Sequence, residues 1–150
     1  MNLQPCTYTS ERPTRRTILL VEDEPFVREA TRSILESAGF EVLPAEDASA
    51  AVRVYEERQH AVDVRAIDLV MTDMVLPGRT GQQLGQDLRQ RSPEVKVLVT
   101  SGYGNAELET EDPQSHTYFL AKPYSRRTLL EKVERILEGM PLRRAASQAV

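Results

Sequence analysis

Several things are scarce in this chain of 150 residues, and each scarcity closes a class of function. There is one cysteine, Cys6, in a polar leader, so neither a disulfide framework nor a thiolate zinc site can be assembled. Tryptophan is absent, and the two histidines, His60 and His116, stand outside every motif and read as surface residues. No apolar run approaches the roughly 20 residues that a membrane span requires, and none resembles a signal peptide; a soluble, cytoplasmic protein without a membrane partner is expected. Glycine-rich phosphate loops are missing too. The first apolar run is followed by EDEP rather than a GxGxxG turn, and no GxxxxGK[ST] occurs, which argues against dinucleotide-binding and P-loop readings.

What is present suits one domain with a real core, since domains most often run to roughly 100 to 150 residues. The net charge of −4 hides an asymmetry: residues 1–16 carry three Arg against one Glu, and residues 139–150 carry two Arg and no acid. The body between them holds 14 basic and 22 acidic residues. Such an acidic body is a poor match for nucleic acid, and no nucleic-acid partner is expected. The expected layout is a flexible polar and basic leader over 1–16, a domain over 17–138 and a short basic tail over 139–150. Too little chain follows to add a catalytic or DNA-binding module, so the domain is expected to act alone.

Apolar runs suited to buried strands occur at TILLV (17–21), FEVLPA (40–45), IDLVMT (67–72), VKVLVT (95–100) and TYFLA (117–121). Their near-continuous apolarity implies strands covered on both faces. Helical patterns lie between them. Glu24 reads as a cap and Pro25 as a first helical position, with Val27, Ala30, Ile34 and Ala38 as the inward stripe and Gly39 as the stop. Ala48, Ala51, Val52 and Tyr55 mark a second helix, Leu84 and Leu88 a third, and Leu129, Leu130, Val133, Ile136 and Leu137 the last. Residues 104–116 are acidic and interrupted by Pro113, so any helix there should be short or irregular. The alternation predicts an α/β fold, a parallel sheet with helices on both faces.

Ligands of such sheets bind beyond the carboxyl ends of the strands. Glu22 and Asp23 follow the first run, Asp73 the third, Ser101 the fourth and Lys122 the fifth. An acid after a strand often only caps a helix, a serine often only satisfies a turn, and a lone lysine is often only solvated. Together they describe something else. Three carboxylates near 4 Å repel by about 4 kcal/mol per pair at an effective dielectric of about 20, so they need counter-charge beyond Lys122. All-oxygen ligation points to magnesium, with manganese also suitable, rather than zinc. One carboxylate at such a site can act as a nucleophile toward phosphorus and form an acyl phosphate.

The segments TILLVEDEP, DLVMTDMVLPGRTG, VLVTSGYG and FLAKPY resemble the receiver domain of bacterial two-component response regulators over about residues 17–138. The SGY and FLAKPY forms are most similar to receivers of hybrid histidine kinases. The resemblance implies a flavodoxin-like, doubly wound five-stranded sheet in the order 2-1-3-4-5. It implies phosphorylation of Asp73 by a histidine kinase or histidine phosphotransfer protein, with Pro77 and Gly81 at the family's following positions. It further implies magnesium held by Glu22, Asp23, Asp73 and the main-chain carbonyl of Val75. Ser101 matches the hydroxyl that follows the phosphoryl group, Lys122 the site lysine before a cis Pro123, and Phe119 the switch aromatic. Phe119 lacks a hydroxyl, so switching must work through burial and exposure of the ring.

The implied protein is a signalling switch acting through a downstream protein target, as a monomer or weak dimer, and not an enzyme beyond its own phosphorylation and dephosphorylation. A receiver fold used as a passive binding module is the alternative. A magnesium-dependent aspartyl-phosphate phosphatase is a further one, but it needs a second acid where Val75 stands. Val75 and Tyr103 occupy positions where polar residues can orient a hydrolytic water, and their bulk implies slow self-dephosphorylation.

Overall fold

The apolar runs become strands because both of their faces are buried: Ile18 and Leu20 point to one side of the sheet, Leu19 and Val21 to the other, and none of the four is more than 2% exposed. The computed structural model describes residues 15–62, 64, 66–102 and 115–138. In chain order the elements are β1 (Thr17–Val21), α1 (Pro25–Ser37), β2 (Glu41–Ala45), α2 (Ala48–His60), β3 (Leu69–Asp73), a small hairpin of β4 (Val75–Leu76) and β5 (Arg79–Thr80), α3 (Gly81–Arg91), β6 (Lys96–Ser101), β7 (Thr117–Ala121) and α4 (Arg126–Leu137). The five long strands form one parallel sheet in the order β2-β1-β3-β6-β7, which is the expected flavodoxin-like order with the hairpin inserted into the count.

The two faces carry separate cores. Leu35 from α1 and Leu129, Val133, Ile136 and Leu137 from α4 pack with Ile18, Leu20, Leu69 and Leu98. On the other face Ala48, Ala51 and Tyr55 from α2 and Leu84 and Leu88 from α3 pack with Leu19, Val21, Val70 and Val97. Truncating any fully buried leucine in either layer to alanine should cost about 2–5 kcal/mol.

Two local expectations are corrected. The inward stripe of α1 is not Val27, Ala30, Ile34 and Ala38: Thr31 and Leu35 are buried, Ile34 is half-buried, and Val27, Ala30 and Ala38 are exposed. Alanine carries too little surface to set a helix's rotation, so Leu35 decides it. The ladder also runs further than the apolar runs did. Asp73 pairs with Thr100 and Ser101 with Ala121, so Asp73 and Ser101 are the last residues of their strands rather than the first beyond them. The hairpin turn was not anticipated; it follows from Pro77-Gly78, with Gly78 at a φ of 81°. The expected fourth helix over 104–116 falls almost wholly outside the described residues, as do Tyr103, most of the leader and the tail 139–150.

Candidate functional site

The strand order reverses between β1 and β3, and the crevice at their carboxyl ends is where an open α/β sheet accepts ligands. Four of the residues singled out by sequence meet there. Glu22, Asp23 and Asp73 each offer a carboxylate oxygen, all within 4.8 Å of one another. Lys122, immediately after β7, brings its Nζ to 3.3 Å from Asp73 Oδ1 and 4.0 Å from Glu22 Oε1. The Lys122–Pro123 peptide bond is cis. Ser101 ends the neighbouring strand, is 1% exposed, and its Oγ has no hydrogen-bond partner among the described residues.

The backbone around the site is tightly held. Glu22 N–H donates to the Ala45 carbonyl at 3.0 Å, the last link from β1 toward β2. Arg28, from α1, donates from Nη1 to the Glu22 carbonyl at 2.8 Å. Glu24 occupies the N-cap position of α1, yet its side chain does not cap; its N–H instead donates to Glu22 Oε2 at 3.2 Å. Beyond Asp73, Met74 N–H donates to Thr100 O and Gly81 N–H to Met74 O. Thr80 and Gln83 form a reciprocal capping box that starts α3. A Cβ at Gly81 would collide with the Asp73 carbonyl oxygen, so a side chain there would push Asp73 out of place.

The electrostatics are unbalanced. Among the described residues three carboxylates face one ammonium, and at an effective dielectric of about 20 each close carboxylate pair repels by roughly 3–4 kcal/mol before screening. Glu22 shows the consequence: burial pushes its carboxyl above the usual range, and Asp73 and Asp23 push the same way, against the Glu24 N–H and Lys122. A hard divalent cation fits this donor set, because close all-oxygen ligands of excess negative charge are what magnesium or manganese takes.

The other predicted residues lie near but apart. Phe119 is 8% exposed and belongs to the core on the α2 and α3 side. Val75 opens the hairpin two residues after Asp73 and is 69% exposed. Sequence reading missed Arg28 and the Thr80–Gln83 box. The second was detectable as a T-x-x-Q signature before the third helix.

Fold and site together define a flavodoxin-like α/β domain with an acidic pocket at its switch point. A sequence model of the response regulator receiver domain matches residues 18–134, and the chain belongs to that family. It is 34% identical over 123 residues to the sensor kinase CckA of Brucella abortus, covering 81% of this chain and 12% of that protein. It is 32% identical over 127 residues to the phosphate regulon transcriptional regulatory protein PhoB of Pseudomonas aeruginosa, covering 81% and 52%. Among solved structures, the receiver domain of NtrX from Brucella abortus superposes with a TM-score of 0.70 at 32% identity, covering 81% of this chain and 98% of that one. The receiver domain of the hybrid histidine kinase CckA gives 0.65 at 32% identity, covering 81% and 99%. The chain spans between 12% and 52% of the length of these two curated relatives. Receiver domains are signalling modules of two-component systems that accept a phosphoryl group and bind magnesium at an acidic pocket. No helix among the described residues is long and apolar enough to cross a membrane.

Proposed function

We propose that this receiver domain takes a phosphoryl group on Asp73 from the phosphohistidine of a histidine kinase or phosphotransfer protein and signals by changing its contacts with a downstream protein. The observation that carries the reading is Asp73, at the end of β3, grouped with Glu22 and Asp23 and touched by Lys122 at 3.3 Å. The Asp73 carboxylate attacks phosphorus, the phosphorus–nitrogen bond breaks, and the bonding pair leaves with the donor imidazole. The Lys122 ammonium holds Asp73 Oδ1 beforehand and neutralises a phosphoryl oxygen afterwards. The unpartnered Ser101 hydroxyl supplies a hydrogen bond to another. Glu22, Asp23, Asp73 and the Val75 carbonyl would hold magnesium, which would supply Lewis-acid neutralisation of the transferring oxygens.

The added charge and acceptors at a packed edge bias a two-state arrangement in which Phe119, buried here, can exchange burial for exposure. Protein contact at the site has apolar surface to use: Phe26 is 86% exposed, and Val27 and Val75 are exposed beside the acids in sequence. The unit is taken to run over 17–138. Val75 and Tyr103 should slow hydrolysis of the acyl phosphate.

Incubation with acetyl phosphate, with and without magnesium, followed by intact mass, tests the reading. It expects a magnesium-dependent gain of one phosphate that Asp73→Asn abolishes. No adduct would favour the passive module, and turnover of donor without an adduct would favour the phosphatase.

A further inference from the structure

Arg28 sits where neither packing nor helix electrostatics favours it. It is the fourth residue of α1, near the positive end of the helix dipole, where a cation is disfavoured. It lies on the buried stripe, in line with Thr31 and Leu35, and is itself half-buried. Its side chain bonds backwards out of the helix, Nη1 donating to the main-chain carbonyl of Glu22 at 2.8 Å.

That carbonyl marks the point at which the chain leaves the sheet. The Glu22 N–H still donates to Ala45, whereas β1 and β3 stop pairing at Val21 with Thr72. The Glu22 carbonyl and the Asp23 N–H belong to one planar peptide unit. Fixing that carbonyl therefore fixes the direction in which both Glu22 and Asp23 leave the backbone.

We propose that Arg28 is a positioning residue for the divalent cation: by clamping the Glu22 carbonyl it orients the Glu22–Asp23 peptide so that both carboxylates face Asp73. The proposal rests on the reading of the acidic cluster as a magnesium site. Its consequence is that Arg28 tunes how much magnesium the domain needs, and not the rate once magnesium is saturating.

Magnesium titration by calorimetry on wild type, Arg28→Met, Arg28→Lys and Asp23→Asn tests it, alongside acetyl-phosphate labelling rates across magnesium concentrations. Loss of a hydrogen bond to a ligating group typically weakens metal binding about 10-fold or more; Arg28 bonds the backbone that carries two of the carboxylates, and Arg28→Met should raise the magnesium dissociation constant by up to about that factor. Its labelling rate should return to the wild-type value at saturating magnesium. The amide nitrogen resonance of Asp23, which shares the clamped peptide, should move in the magnesium-free Arg28→Met protein while the resonances of β6 stay in place. Arg28→Lys, which keeps the charge but not the planar fork, should bind magnesium more weakly than wild type. Wild-type affinity in Arg28→Met, full recovery in Arg28→Lys, or an unmoved Asp23 resonance would each overturn the positioning role. Failure of the underlying site reading would look different: wild type itself would bind no magnesium that Asp23→Asn removes.

Discussion

The two rims of the sheet both gather acidic side chains, and they treat them in opposite ways. At the amino-terminal rim, Asp68 Oδ2 accepts the Thr17 N–H at 2.8 Å, Glu41 Oε1 accepts the Thr17 hydroxyl at 2.9 Å, and Arg58 from the last turn of α2 reaches Glu41 Oε2 at 2.9 Å. At the carboxyl-terminal rim, Glu22, Asp23 and Asp73 share one lysine. The two glutamates report the difference. Hydrogen bonding from Arg58, with help from Thr17, holds the Glu41 carboxyl below the usual range, whereas burial and like charge push Glu22 above it. One rim has met its electrostatic needs with its own residues, and the other has left a deficit of positive charge for a ligand to fill.

The sharpest break between the rims should come from Asp73→Asn. It should abolish phosphorylation by acetyl phosphate, read by intact mass, because an amide cannot serve as the nucleophile. Without magnesium the same change should raise thermal stability by about 1 kcal/mol, a fraction of the repulsion it relieves. Labelling that persisted in this variant would move the acceptor elsewhere. Magnesium at about 100 times its dissociation constant should stabilise wild type by about 2.7 kcal/mol, measured as a rise in Tm, and should stabilise Asp23→Asn much less. An equal gain in both would mean that the cation binds somewhere other than the acidic cluster.

The imbalance was legible in the sequence because it is made of types and positions. Charged residues that follow apolar runs must emerge at one edge of a parallel sheet, so Glu22, Asp23, Asp73 and Lys122 could be brought together without coordinates. The strand order followed from the family's motifs. The rotation of α1 was not legible, since a stripe counted with alanines points wherever the larger Leu35 takes it. The clamp from Arg28 was equally hidden: an arginine to main-chain bond leaves no pattern in spacing. The satisfied rim escaped notice for a related reason. Thr17, Glu41, Asp68 and Arg58 are each ordinary residues at strand starts and a helix end, and only the register of Thr17 with Glu41 brings two of them face to face.

The satisfied rim makes its own prediction. Asp68 is fully buried, and Asp68→Ala should strand the Thr17 N–H in the interior. A loss of about 2 kcal/mol is expected on chemical unfolding, with phosphorylation of the folded protein unchanged. Loss of labelling at full folding would mean that the rims are coupled through β1 or β3, and their separation would fail.

The smallest effect belongs to Glu41, and its sign separates it from the active rim. A carboxyl held below its ordinary value contributes stability that is fully present above the unfolded value of 4.5 and is lost as pH falls through the folded value. Its side chain is 36% exposed, so solvent screening limits the Arg58 pair to under about 1 kcal/mol. Glu41→Gln should therefore be slightly less stable than wild type at neutral pH, and the two should converge in acid. Glu22 works the other way: a carboxyl held above its ordinary value costs stability as it ionises, so in the absence of magnesium Glu22→Gln should gain on wild type as pH rises through and above 4.5. Paired denaturation curves across pH would show both differences opening toward neutrality with opposite signs, Glu41→Gln falling below wild type and Glu22→Gln rising above it. Parallel trends in the two variants would mean that the rims do not differ in how their charges are met.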